Sequence, residues 1–215
     1  MSKEYGYIGK EVTQAFRDNK GIFTPQDIIE LDQENKWTNF GQLELIETQT
    51  VTGTQTTINF TSIKQNIFRV HFLTYNNVQG SSTTAQDLGA RVSNDGGSTY
   101  ESSNYAHANQ NGQTDGTFSE NRSTSTDRFM LAPDLDDETN ASVNGYVYFF
   151  NLGDSTLKTT IVDMNFLFQS AVGGRFRIGS AEYSQLEEIN ALQLMAHSGG
   201  GFSAGNFSLY GIRSF

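Results

Sequence analysis

The last fourteen residues, FSAGNFSLYGIRSF (202–215), constrain the fold of this chain more than any other segment. Phe207 and Leu209 alternate there with Tyr210 and Ile212 at a two-residue period. In a strand that period sends the two sets to opposite faces. Both faces therefore carry large apolar side chains and both need cover. The pattern runs almost to the last residue, so this end is expected to be tied into a sheet rather than frayed.

The same period recurs upstream. LELIETQTV (43–51) and TTINFTSI (56–63) flank a VTGTQ turn. IFRVHFLTY (67–75) reads as a strand with Phe68, Val70 and Phe72 on one face and His71 opposite. Residues 90–93 run into NDGG (94–97), whose Asn, Asp and Gly suit positive φ. Tyr100 and Tyr105 then open a polar stretch with little apolar content before Phe129. Residues 128–131 form a short strand and 134–138 an acidic loop. SVNGYVYFFNL (142–152) and TTIVDMNFLFQ (159–169) read as a hairpin through GDST, with Val162, Met164, Phe166 and Phe168 as one face. Residues 175–183 add a strand, and 189–196 with 207–212 form a last pair joined by SGGGFSAG. That is roughly nine or ten strands at the spacing of an antiparallel sandwich. No helix-length pattern separates them, so a parallel α/β sheet is excluded.

The expectation is an all-β chain: a jelly-roll-like antiparallel β-sandwich over residues 37–215, behind an irregular N-terminal arm, 1–36. The strands 68–72, 143–150, 162–168 and 207–212 are expected in its core. Composition agrees. Hydrophobic content is 36% and charged content 18%, with Ser, Thr, Asn, Gln and Gly making up the difference, as in sandwiches with long loops. A disordered chain would lack the 16 Phe and 9 Tyr. There is no internal repeat.

The arm holds Lys3, Lys10, Arg17, Lys20 and Lys36 and shows no strand alternation. Thr24-Pro25 before QDIIELDQ reads as a capped short helix, with Thr24 as N-cap and Pro25 at its first position. Tyr5, Tyr7, Ile8, Ile22, Phe23 and Ile28 are apolar side chains with little structure of their own to bury them. They are the candidate partner-docking residues, against packing of the arm on its own domain.

Net charge is −10, with 14 basic residues scattered among 24 acidic ones, which argues against a nucleic-acid partner. No apolar run approaches twenty residues, so no membrane span is expected, and MSKEYGYIGKEV lacks the features of a signal peptide. The absence of cysteine removes disulfides and thiolate-bound zinc and fits synthesis in a reducing cytoplasm. Sequons at Asn59, Asn121, Asn140 and Asn206 are the number chance supplies in so Asn- and Thr-rich a chain.

No constellation of residues reads as catalytic. His71, His107 and His197 lack the spacing of a metal site, and no G-x-S-x-G is present. Asp134, Asp136, Asp137 and Glu138 are hard oxygen ligands but lack the spacing of a calcium loop. SGGGFSAG and VGGRFRIG lack the following helix of a phosphate cradle and read as loops. Tyr100, Tyr105, Tyr146 and Tyr148 suit either sugar stacking or burial. The expectation is a non-enzymatic protein without cofactor or metal.

Three stretches resemble virion structural proteins of tailed bacteriophages, especially those of marine cyanobacteria: residues 7–37, residues 90–109 and GGFSAGNFSLYGI (200–212). The first contains GIF-x3-DI (Gly21, Ile22, Phe23, Asp27, Ile28), the second an NDGG-x-TY hairpin, the third an F-x-LYGI ending. The resemblance implies a virion component made in the host cytoplasm that docks on other virion proteins, as a head decoration or a tail or neck appendage. SVNGYVYFFNL and NFSLYGI carry large apolar residues on both faces, more than one buried sheet face needs, so a homo-oligomer is expected, and the resemblance favours a trimer. The alternative is a tail-fibre module that binds host-surface glycan. None of the motifs carries active-site residues.

Overall fold

The structure, a computed structural model, describes residues 25–26, 29–30, 43–84, 86–169 and 173–213. The chain divides into two compact units, Met1–Gln42 and Leu43–Phe215. In the first, Pro25, Gln26, Ile29 and Glu30 are helical, and Gln26 Nε2 donates to Glu30 Oε1 at 2.9 Å. The candidate docking residues Tyr5, Tyr7, Ile8, Ile22, Phe23 and Ile28 lie outside the described residues.

The second unit is all-β. Its strands are β1 (Leu43–Thr50), β2 (Thr57–Phe60), β3 (Val70–Gly80), β4 (Gln86–Ser93), β5 (Tyr105–Gln113) and β6 (Phe118–Thr126). They continue as β7 (Phe129–Leu135), β8 (Ser142–Phe150), β9 (Thr159–Gln169), β10 (Gly173–Tyr183), β11 (Ala191–His197) and β12 (Phe202–Ile212). An eight-stranded sheet has the order β1-β12-β3-β8-β9-β10-β5-β6, and a four-stranded sheet the order β2-β11-β4-β7. All pairings are antiparallel.

This order is a jelly roll with an extension. Four pairs, β1 with β12, β2 with β11, β3 with β8 and β4 with β7, are the rungs of one long antiparallel ribbon. The ribbon is rolled so that β12 also meets β3 and β11 also meets β4. Two four-stranded sheets result, which is the two-Greek-key solution to burying both ribbon faces. The hairpins β5–β6 and β9–β10 are insertions that continue the first sheet beyond β8.

The roll corrects two local expectations. β11 and β12 are consecutive but lie in opposite sheets, so they are not a pair. NDGG is likewise a crossing from β4 to β5 rather than a hairpin. In that turn Gly96 and Gly97 take φ of 76° and 86°. Asp95 Oδ1 accepts from Thr99 N–H at 2.9 Å and Oδ2 from the Thr99 hydroxyl at 2.7 Å. Those bonds hold the Asp95 carboxyl down at about 2. The polar stretch after Tyr105, to which no element was assigned from sequence, forms β5 and β6, and GGRFRIG, read as a loop, is the start of β10.

The core lies between the sheets. From the large sheet come Leu73, Tyr75, Val147, Phe149, Phe207 and Leu209, and from the small one Ile58, Phe60, Leu88, Val92, Leu192 and Leu194. On β12 the alternation is as the sequence implies: Phe207 and Leu209 are fully buried, and Tyr210 and Ile212 are half-buried on the outer face.

Two strands present the face opposite to the one their hydrophobicity suggests. On β3 the buried side is His71, Leu73, Tyr75 and Val78, while Val70 and Phe72 face outward. On β9 the buried side is Thr159, Ile161, Asp163, Asn165, Leu167 and Gln169. Val162, Met164, Phe166 and Phe168 are exposed instead. The cause is register. Val143, Val147 and Phe149 of β8 are locked into the core, and they pair with Leu167, Asp163 and Ile161. Directly paired residues share a face, so β8 dictates the phase of β9 whatever β9 carries.

Candidate interaction surfaces

The outer face of the large sheet is the most unusual surface of the molecule. One row of outward side chains crosses all eight strands in register: Leu45, Tyr210, Phe72, Tyr148, Val162, Ser180, Ala108 and Arg122. The next row includes Tyr146, Met164, Ile178, Gln110 and Glu120. Phe166 and Phe176 lie opposite each other one step further on.

These side chains are left in solvent. Val162 is 47% exposed, Phe166 49% and Ile178 46%, and Phe118 at the β6 edge reaches 72%. Four rings on β3, β8 and β12 touch: Phe72 lies 4.7 Å from Tyr148, 5.8 Å from Tyr146 and 6.2 Å from Tyr210 between centroids. Single exposed hydrophobes are ordinary, but a contiguous apolar sheet face marks an interaction site.

The face has relief. Tyr146, Tyr148 and Phe72 form a ridge over β8 and β3. Beside it a shallow trough runs along β10 and β5, floored by Ala106, Ala108, Gly179 and Ser180. The outward residues there, Ala106, Ala108 and Ser180, are small, so the backbone lies near the surface.

The inner face of the same sheet changes character as it leaves the sandwich. In one inward row Leu73 and Val147 give way to Asp163, Gly179 and Asn109. The small sheet ends at β7, which packs against β8, β9, β10 and β5. The edge of β7 is covered by side chains of the large sheet: Asn165 Nδ2 donates to Leu131 O at 2.8 Å, and Arg177 Nη2 to Met130 O. Capping an edge strand in this way blocks pairing with another chain.

Asp163 and Arg177 lie sealed between these layers. Each is 1% exposed, and Arg177 Nε is 3.9 Å from Asp163 Oδ2. Burial pushes the Asp163 carboxyl up to about 6, against the pull of the guanidinium. Burial also lowers Arg177 and raises the Tyr75 hydroxyl beside them. Gly179 is needed here, because a Cβ on it would fall 1.8 Å from Asn109 Oδ1 and 2.9 Å from Asp163 Oδ1.

Where β5 and β6 pass beyond β7 a polar recess opens, lined by Asn111, Gln113, Asn121, Met130, Arg175 and Arg177. Next to it the buried amide of Asn109 has no protein partner on either atom, nor do Asn111 Oδ1 and Arg175 Nε.

The residues singled out from sequence are dispersed. His71 is buried on β3 and donates from Nε2 to Ile63 O at 2.7 Å, and burial lowers its pKa. His107 Nε2 is 3.0 Å from Asn121 Oδ1, and His197 Nδ1 is 2.9 Å from Ser198 Oγ. In the acidic loop Asp134 pairs with Arg175, while Asp136 accepts from Gln169 Nε2 at 2.5 Å and from Glu138 N–H at 2.6 Å. No group of three metal-ligating side chains is assembled among the described residues. Tyr105 is core: its hydroxyl accepts from Val92 N–H and donates to Glu101 O. Tyr146 and Tyr148 are on the ridge. No helix among the described residues is long and apolar enough to cross a membrane.

The sequence reading grouped Val162, Met164, Phe166 and Phe168 as one face of a core strand and did not anticipate that this face is the exposed one. The available signal was the β8 partner strand, whose small and aliphatic phase (Val143, Gly145, Val147) leaves its tyrosines outward. Comparison with family models, with curated proteins and with solved structures finds no significant match to this chain.

Proposed function

We propose that this chain is a non-enzymatic structural component of a tailed-phage virion, docking on other particle proteins as a head decoration or a tail or neck appendage. The observation that carries an assembly role is the outer face of the large sheet. Val162, Met164, Phe166, Phe168 and Ile178 stand exposed beside a cluster of four aromatic rings. A face of that kind is costly to leave in water and is stabilised when another protein surface covers it. The phage setting rests on the resemblance of the three stretches described above. A rigid jelly roll with inserted hairpins suits that setting, since such sandwiches pack side by side through flat sheet faces.

The test is localisation. A peptide tag after Gly116, in the exposed β5–β6 turn, would be gold-labelled on purified particles. Label at fixed positions on head, neck or tail supports the role. A chain found only in the soluble fraction of infected cells overturns it.

A second reading is kept for one observation. The recess beside Arg175 and Arg177 is lined by amide side chains, with the Asn109 amide unpartnered next to it. Converging amide and guanidinium donors suit a saccharide. Host polysaccharide binding that is lost in Asn111→Ala would favour a receptor-binding module.

A further inference from the structure

We infer that the occupant of the outer face is a second copy of this chain, packed face to face about a two-fold axis that runs along β9. The inference rests on the reading of that face as an assembly surface and names the partner.

A rotation about β9 maps β8 onto β10, β3 onto β5 and β12 onto β6, because these strands flank β9 in equal steps. In the row through Val162 the two halves are then complementary. Tyr148 falls opposite Ser180, and Phe72 opposite Ala108. The ridge of each copy enters the trough of the other. Tyr210 falls opposite Arg122, an aromatic face against a guanidinium. Val162 meets its own counterpart on the axis.

The row through Met164 obeys the same rule. Tyr146 falls opposite Ile178, Thr74 opposite Gln110 and Ser208 opposite Glu120. In this row apolar faces apolar and polar faces polar, whereas in the outermost rows Phe150 falls opposite Glu182 and Asn144 opposite Phe176. Sheets packed face to face cross at about 30°, so this matching is strictest next to the axis, where the apolar residues are.

Size agrees with a stable pair. The seven strands that overlap about this axis, at about 4.8 Å each and over about seven residues of 3.3 Å, cover roughly 780 Å² of flat sheet. A specific interface needs about 800 Å² per partner. A closed ring of three would instead need two different patches that fit one another across the subunit. Here both halves of the fit lie side by side on one face, which is the arrangement of a two-fold contact.

The chain has no cysteine, so single substitutions report cleanly. Light scattering at tens of micromolar should give twice the 23.8 kDa chain mass. Met164→Cys, on the strand that carries the axis, should be linked to its own copy by a short bis-maleimide, because sheets packed face to face lie about 10 Å apart. Gln110→Cys lies two strands away, about 10 Å from the axis, so its two copies are about 20 Å apart and should not link. Ser180→Trp fills the trough and should give a monomer with unchanged far-ultraviolet circular dichroism. A wild-type monomer or trimer, equal linking of the two cysteine variants, or a dimer unaffected by Ser180→Trp each overturns the proposal. A monomer that joins the particle unless Ser180→Trp is present overturns the pairing and leaves the assembly role standing. A dimer absent from particles does the reverse.

Discussion

Asp163 and Arg177 lie diagonally across adjacent strands, 3.9 Å apart between Oδ2 and Nε, with both residues 1% exposed. The pair is buried but loosely joined, and neither oxygen of Asp163 has a hydrogen-bond partner. Removing one member of such a pair costs about 3–5 kcal/mol, because the other charge stays buried without compensation. Arg177→Met is therefore expected to destabilise strongly at pH 7.5. The loss should shrink at acid pH. The Asp163 carboxyl, already at about 6 against an ordinary 3.8, rises further once the guanidinium is gone. In the folded state it then binds a proton that the unfolded chain has released. Its stabilising contribution is thus complete below 3.8 and lost as pH climbs through its folded value. Urea unfolding of Arg177→Met and wild type at pH 5 and 7.5 checks this. A loss that is equal at both pH values, or larger at pH 5, contradicts it.

Replacing both partners should behave differently. Asp163→Leu with Arg177→Met removes two desolvation penalties and leaves apolar groups of similar volume. Such swaps are neutral or stabilise by about 1–4 kcal/mol. The expected midpoint in urea at pH 7.5 is at or above wild type, even though Arg177→Met alone lowers it. A double variant as unstable as the single one would show that the Arg177 bond to Met130 O matters more than the pairing.

The fold was largely legible from residues, as was an apolar surplus on SVNGYVYFFNL and NFSLYGI, but the share of the outer face carried by β9 was not. β8, β9 and β12 are read correctly as strands because alternation over nine or more residues has no helical counterpart. β5 and β6 went unread because Asn, Gln, Ser and Thr dominate them, and their place in the sheet comes from pairing with β10 rather than from burial. The phase of β9 was unreadable for a related reason. Alternation says that Val162 and Asp163 point apart but not which is inside, and taking the more apolar side assumes a chain without a partner. At β3 Phe68, Val70 and Phe72 read as one face of a core strand with His71 opposite, whereas His71 is on the buried side and donates its Nε2–H to the Ile63 carbonyl.

Gly211 in the LYGI ending has a packing role. The Phe68 ring, 1% exposed, lies against its backbone, and a Cβ there would sit 2.2 Å from the Phe68 Cδ2 atom. Gly211→Ala should therefore displace the ring and cost about 1–3 kcal/mol, as overpacking does. The cost should nearly vanish in a Phe68→Ala background, because the clashing atoms are gone. Denaturant midpoints of the two singles and the double measure this coupling. Additive losses would place the strain elsewhere.

The last prediction separates folding from assembly. The unit Leu43–Phe215 has its own closed core, with Phe60, Leu73, Phe149, Phe207 and Leu209 fully buried. Its ribbon is held by β1 pairing with β12, and β1 begins at Leu43. Every described residue of that core lies after Leu43, so a chain lacking residues 2–23 should keep a strand-dominated circular dichroism spectrum and unfold cooperatively. The deletion takes with it Tyr5, Tyr7, Ile8, Ile22 and Phe23 together with Lys3, Lys10, Arg17 and Lys20. Those apolar side chains and positive charges contrast with a chain whose net charge is −10, and they suit an acidic, partly apolar patch on a partner protein. The truncated protein should therefore pair through its outer face as wild type does, yet fail to join particles when supplied during infection. Sedimentation of labelled protein with purified particles reads the outcome. A truncated chain that unfolds shows that the first residues belong to the core, and one that still sediments with particles places the anchor elsewhere on the molecule.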